Sequence, residues 1–143
     1  MKIKSINPYT EEVNWTYDSF SIGECRAQIE KSRAAFLTWS SLSAEERAKY
    51  FEDVAGVLRQ NTDTYAEIIT TEMGKPIRQS KDEIQKCARL CDYYAENAAE
   101  LLKDEVVDIG SEKSYVTFEP LGVIFGIMPW NSLSGRFSGL QCL

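Results

Sequence analysis

Histidine is absent from all 143 residues. Without an imidazole, no Ser-His or Cys-His couple can operate inside this chain. Basic character is also scarce: 16 Lys and Arg stand against 22 Asp and Glu, for a net charge of −6 and no basic run. Phosphate backbones are held by clustered cations, so a nucleic-acid partner is not expected. No stretch approaches the ~20 consecutive apolar residues of a membrane span, so no membrane partner is expected either. The opening MKIKSINPYT carries no apolar h-region. The expectation is therefore a cytoplasmic protein without a secretory leader.

What is present fits a folded domain. Apolar residues make up 43% of the chain and charged residues 27%. That is enough apolar matter for one modest core and too little charge for disorder. The four cysteines are Cys25, Cys87, Cys91 and Cys142. In a reducing compartment they are thiols rather than bridges. Cys87 and Cys91, four apart on an expected helix, supply half a metal site at most, with no second pair and no histidine to complete it. Buried core thiols are the plainer reading, and no metal is expected.

The hydrophobic period divides the chain. Residues 1–20 read as two short extended pieces around a turn at Asn7-Pro8-Tyr9-Thr10. From Ile22, the positions Ile22, Cys25, Ile29, Phe36 and Trp39 follow helical spacing and predict a helix with one face turned inward. Ser43-Ala44-Glu45-Glu46 is a capping box: the Ser43 hydroxyl can accept from the Glu46 amide while the Glu46 carboxylate reaches back. The helix it starts is expected to bury Phe51, Val54, Ala55 and Leu58. A shorter helix with Tyr65, Ile68, Ile69 and Met73 is stopped by Gly74 and Pro76. The longest helix is expected over 77–103, with Ile77, Ile84, Cys87, Cys91, Ala95, Ala98 and Leu102 along one side.

Near Glu105 the period changes to that of strands. Val106–Ile109 and Tyr115–Phe118 predict a hairpin turning at Gly110-Ser111. The unbroken apolar run 123–128 reads as a strand buried on both faces, as in a parallel α/β sheet. Ligands in such sheets bind beyond the carboxyl ends of the strands. Pro129, Trp130 and Asn131 fall at that end. A carboxamide mounted there can donate to a developing oxyanion. A turn-forming Asn beside a packed Trp is the alternative on the residues alone.

The ordered set of motifs resembles the aldehyde dehydrogenase superfamily. It comprises Phe36 to Trp39, Ala44-Glu45-Glu46-Arg47, Glu72-Met73-Gly74-Lys75-Pro76, Asp92-Tyr93-Tyr94-Ala95-Glu96-Asn97-Ala98, Ser114-Tyr115 and Pro129-Trp130-Asn131. Two of these, Asp92 to Ala98 and Ser114-Tyr115, are similar to the succinate-semialdehyde branch. The resemblance covers residues 1–131, roughly the first third of a family member. It implies an α/β fold: the N-terminal part of the aldehyde dehydrogenase fold, with a helical layer, the β-hairpin of the oligomerisation region, and the first strand of a Rossmann-like cofactor domain. The implied divisions are 1–104 for the extended segment and cofactor-domain helices, 105–119 for the oligomerisation-type hairpin, 120–131 for the first cofactor strand with its Pro-Trp-Asn motif, and 132–143 for a tail outside the family pattern.

The resemblance further implies an NAD(P)-dependent oxidoreductase that converts an aldehyde to a carboxylate through a thiohemiacetal on a cysteine. Asn131 would be the side-chain half of the oxyanion hole. Ile127, Met128, Pro129 and Trp130 would line the cofactor cleft, with NAD or NADP as cofactor. Tyr93 and Tyr94 would face the substrate tunnel, ordinary aromatic core being the alternative. Lys75 and Arg78 could steer a carboxylate, though solvated surface charge is the plainer reading. None of the four cysteines sits in a context matching the family nucleophile, so the chain alone is expected to be inactive and to bind cofactor weakly. Unpaired strand edges predict a homo-oligomer or self-association. A helical interaction module without catalysis is the competing reading, and Val123 to Asn131 argues against it.

After Asn131 the residues depart from the family's apolar Phe-Pro continuation. Codons can be chosen for residues 131–143 such that one extra T after the Asn131 codon yields N-F-P-F-W-Q-V-F-R-F-A-V-P, close to that continuation. Residues 132–143 are therefore expected to be a frameshifted tail. Sequencing the gene across the Asn131 codon tests this.

Overall fold

The structure is a computed structural model in which residues 2–110 and 113–127 are described. Element order is β1 (Lys2–Ile6), β2 (Val13–Asp18), α1 (Ile22–Trp39), α2 (Ala44–Gln60), α3 (Thr62–Met73), α4 (Ile77–Leu101), β3 (Glu105–Asp108) and β4 (Lys113–Val116). Met128, Pro129, Trp130, Asn131 and the 132–143 tail lie outside the described residues. No helix among the described residues is long and apolar enough to cross a membrane.

The N-terminal strands pair antiparallel, with Ile3 opposite Tyr17 and Ser5 opposite Trp15. The turn forms because the Asn7 carboxamide Oδ1 accepts from the Tyr9 amide at 2.9 Å and the Thr10 amide at 3.4 Å. Asn side chains favour this local bonding to their own turn. Between Ser5 and Ile6 the register slips: Ser5 pairs with Trp15, but Ile6 pairs with Val13. Asn14 is thereby the extra residue of a β-bulge, a device that re-aims a side chain out of the ladder.

The capping box at Ser43 forms as the sequence specifies: its Oγ accepts from the Glu46 amide at 3.1 Å, and its own amide donates to Glu46 Oε2 at 2.8 Å. An equivalent box starts α1, where Ser21 Oγ accepts from the Glu24 amide and the Ser21 amide donates to Glu24 Oε2 at 2.7 Å. Its signature, Ser21-Ile22-Gly23-Glu24, stands in the sequence beside the one recognised. Gly74 closes α3 in the left-handed conformation (φ 74°), with its amide on the Thr70 carbonyl. Glycine adopts this conformation without steric penalty.

α4 is the spine. Against α2 it packs Ala88 and Cys91 on Ala55, flanked by half-buried Phe51 and Leu58. Against α3 it presents buried Ser80, Ile84 and Cys87 near buried Ala66 and Ile69. Small side chains at this seam let the helix backbones approach closely. Ser80, wholly buried, is satisfied by Thr70 Oγ1 at 3.0 Å. A buried hydroxyl without such a partner would cost about 1–3 kcal/mol.

Three expectations require correction. α1 turns no face into a core: none of its residues is buried, and Ile22 and Leu37 are exposed. Its apolar stripe forms, but among the described residues it meets a neighbour only near its end, where Phe36 is half-buried and Trp39 meets Tyr50 of α2. On α2 and α4, Val54 and Ile77 are likewise exposed, because the small residues on either side of the seam make the contact. The strand expected over 123–128 is not formed over residues 121–127, which carry no regular structure. A strand needs a partner for its amides and carbonyls. Among the described residues the two sheets, β1–β2 and β3–β4, are separate two-stranded hairpins, and neither is paired with this segment.

Candidate active-site wall

The apolar segment leading toward Ile127 leaves β4 and passes the first two helices. Gly122 and Val123 line an open, mainly apolar groove of about 520 Å³ together with Phe36, Trp39, Leu42 and Tyr50. Trp39 and Tyr50 meet edge to face at 5.1 Å, joining the end of α1 to α2. Such aromatic pairs contribute about 0.5–1.5 kcal/mol beyond the area they bury. Ile127 itself is 84% exposed.

The two candidate tyrosines take different places. Tyr94 is half-buried and inclined against Phe51 of α2, ring centres 6.4 Å apart. Tyr93 is exposed and stacks edge to face on Tyr94 at 5.4 Å. The geometry brings them into one aromatic cluster with Phe51. The structure does not bring this cluster to the groove beside Val123, whose lining comes from α1, α2 and the loop between them.

Lys75 departs from the surface reading. It pairs with Glu83 across the α3–α4 turn, and the two side chains are only 16% and 9% exposed. The helix α4 turns Glu83 back toward the Gly74-Lys75-Pro76 corner. Glu83 is the partner that sequence reading missed; its spacing from Lys75 spans a turn, so no helical periodicity reveals it. Arg78 is exposed, as the plainer reading expected.

The cysteines split by burial. Cys25 is exposed on α1, whereas Cys87 and Cys91 are buried. Desolvation, aided by the neighbouring Cys87 and Asp92, pushes the Cys91 thiol up and so away from the thiolate form. Neither buried thiol is presented as a nucleophile. Among the described residues, no group of His, Cys, Asp and Glu is arranged to hold a metal ion.

The described fold is a helical layer around α4 with two antiparallel hairpins and an apolar strap toward Ile127. The aldehyde dehydrogenase family model matches residues 1–133, and the chain belongs to that family. It is 37% identical over 131 residues to a probable NADP(+) succinate-semialdehyde dehydrogenase of Synechocystis, covering 92% of this chain and 29% of that protein. It is 38% identical over 135 residues to the NADP(+) succinate-semialdehyde dehydrogenase of Mycobacterium avium, again covering 92% and 29%. The chain thus spans under a third of the length of these relatives. Among solved structures, the succinic semialdehyde dehydrogenase of Streptococcus pyogenes in complex with NADP+ superposes with a TM-score of 0.89 at 32% identity, over 94% of this chain and 30% of that one. An indole-3-acetaldehyde dehydrogenase superposes with a TM-score of 0.86 at 30% identity, over 96% and 32%. The α/β fold expected from the sequence is the fold of these neighbours.

Residues 121–127 are Leu, Gly, Val, Ile, Phe, Gly and Ile, with no side-chain donor for a phosphate or ribose. Their side chains supply an apolar wall.

Proposed function

We propose that this chain supplies the N-terminal third of an NAD(P)-dependent aldehyde dehydrogenase acting on a small acidic aldehyde such as succinate semialdehyde. The observation that carries the reading is the continuous match to the family over residues 1–133, joined to 37–38% identity with succinate-semialdehyde dehydrogenases. NADP is the favoured cofactor, since those relatives and the Streptococcus pyogenes complex carry it in their names. In this reading Asn131 donates from its carboxamide to the oxygen of the aldehyde carbonyl as charge builds there. Ile127, Met128, Pro129 and Trp130 form part of the cofactor wall. Tyr93 and Tyr94 sit on the substrate side of α4, and the β3–β4 hairpin joins subunits of a homo-oligomer.

The same reading makes the 143 residues inactive alone. Cys87 and Cys91 are buried, and burial pushes the Cys91 thiol up. None of the four cysteines, the exposed Cys25 included, sits in a context resembling the family nucleophile, so in this reading the attacking thiolate comes from a segment that completes the fold.

The test has two parts. The purified chain, given succinate semialdehyde and NADP+, is expected to produce no reduced cofactor by absorbance. Residues 1–131 substituted for the matching segment of the Synechocystis relative are expected to give a folded enzyme that oxidises succinate semialdehyde. Turnover by the chain alone, or a folded chimera inert toward aldehydes, would overturn the proposal.

A further inference from the structure

The hairpin β1–β2 has no buried residue; only Ser5, Asn7 and Asn14 are half-buried within Lys2–Asp18. Its large apolar side chains, including Ile3, Ile6, Val13 and Tyr17, are exposed. Two of the half-buried residues reach the same place on the helices. Asn14 Nδ2 donates to the Thr71 carbonyl at 3.0 Å, and Ser5 Oγ donates to Glu72 Oε1 at 2.8 Å. Asn14 also donates to Ser5 Oγ at 3.3 Å, tying the two contacts together.

The Thr71 carbonyl belongs to the last turn of α3. The last four carbonyls of a helix have no partner within it. Gly74 satisfies that of Thr70. The hairpin supplies the partner for the next one, through the side chain that the bulge turns out of the ladder. Beside this contact, a Cβ placed on Gly74 would lie 3.1 Å from Pro8 Cγ, so the hairpin turn seats on the helix-ending glycine.

We infer that the β1–β2 hairpin is a latched arm: a unit that opens separately from the α2–α4 body, with Asn14 as the latch that also caps α3. Segments with few buried apolar contacts open at lower free energy than the core they attach to. A polar latch onto a helix end gives such a unit one defined closed position. Opening frees the Thr71 carbonyl, so the last turn of α3, up to Gly74, loosens with the arm.

Native-state hydrogen exchange on the full chain tests this, with chymotrypsin as a second readout at exposed Phe20 on the arm's hinge. In the unmodified chain, hairpin amides and the Gly74 amide are expected to exchange with shallow urea dependence, and those of Ile84, Cys87 and Ala88 with steep dependence. Asn14→Ala is expected to speed hairpin and Gly74 exchange about tenfold, as loss of one hydrogen bond to a helix end would. It should speed cleavage after Phe20 similarly and leave α4 exchange unchanged. A common steep slope for hairpin and α4 in the unmodified chain would overturn the inference, even if the variant failed to fold. So would a hairpin indifferent to Asn14→Ala.

Discussion

Arg59 on α2 and Asp92 on α4 face each other across the helix seam in a two-pronged pair, with Nη1 donating to Oδ1 at 3.1 Å and Nη2 to Oδ2. The hydrogen bonds from Arg59 hold the Asp92 carboxyl below its ordinary range, and the same bonds raise the Arg59 guanidinium. With the folded pKa depressed, the pair's contribution is fully present above the ordinary carboxylate range. It is lost as the pH falls through the folded value. Both side chains are substantially exposed, so the effect is small and screened by salt. Asp92→Asn is therefore expected to lower the urea midpoint slightly at neutral pH. The difference from the unmodified chain should shrink in molar salt and vanish at acid pH. A difference that grows on acidification would contradict this account.

Ile84 is 2% exposed where α4 meets α3. Ile84→Ala leaves a cavity there, and a loss of about 2–5 kcal/mol is expected from urea melts. The exposed Ile22→Ala on α1 should move the same midpoint far less in this chain.

Gly74 combines a left-handed backbone with a close neighbour in Pro8. Gly74→Ala is expected to cost about 1–3 kcal/mol, because an L side chain is strained at that φ and its Cβ crowds the proline. Thermal melts of the two proteins compare them directly. A neutral substitution would mean that the hairpin turn does not rest on this corner.

The thiols should separate by reactivity. In a Cys142→Ser background, a thiol reagent is expected to label Cys25 quickly in the native chain, and Cys87 and Cys91 only on unfolding. Fast labelling of three thiols without denaturant would show that the α4 seam is open.

In the active chimera, Asn131→Ala is expected to lower kcat about 10²–10³-fold, the effect of removing one oxyanion donor. Steady-state kinetics with KM little changed would support that role. An unaltered kcat would remove Asn131 from the chemistry.

Local chemistry made much of the fold legible. Ser43 and Glu46 mark a helix start through bonds within four residues. Gly74-Lys75-Pro76 marks a stop, and Asn7 a turn, for equally local reasons. The 3.6-residue period along Ile84, Cys87, Cys91 and Ala98 identifies the face of α4 that is buried. Periodicity misled at α1, because it reports which face is apolar and not whether anything covers it. The strand reading of 123–128 failed over its described part for a related reason, since an apolar run takes strand form only with neighbours to pair with.

The candidate site was legible chiefly by resemblance. Physical chemistry alone left Asn131 as either an oxyanion donor or a turn residue, and Tyr93 and Tyr94 as either tunnel or core. The described residues place Tyr94 against Phe51 and Tyr93 at the surface, positions that depend on how α2 and α4 cross.

The sequence by itself determined the capped helix starts, the stop at Gly74, the presence of two hairpins and the family, because caps, turns and residue order act over short spans of chain; the second hairpin's return strand, expected over Tyr115–Phe118, forms instead over Lys113–Val116, where it pairs with Glu105–Asp108. Only the tertiary structure decided that Lys75 meets Glu83, that Arg59 meets Asp92, and that Asn14 caps a helix 57 residues away. Those partners lie on different elements, and their meeting follows from helix crossing and a single bulge, neither of which leaves a period in the sequence.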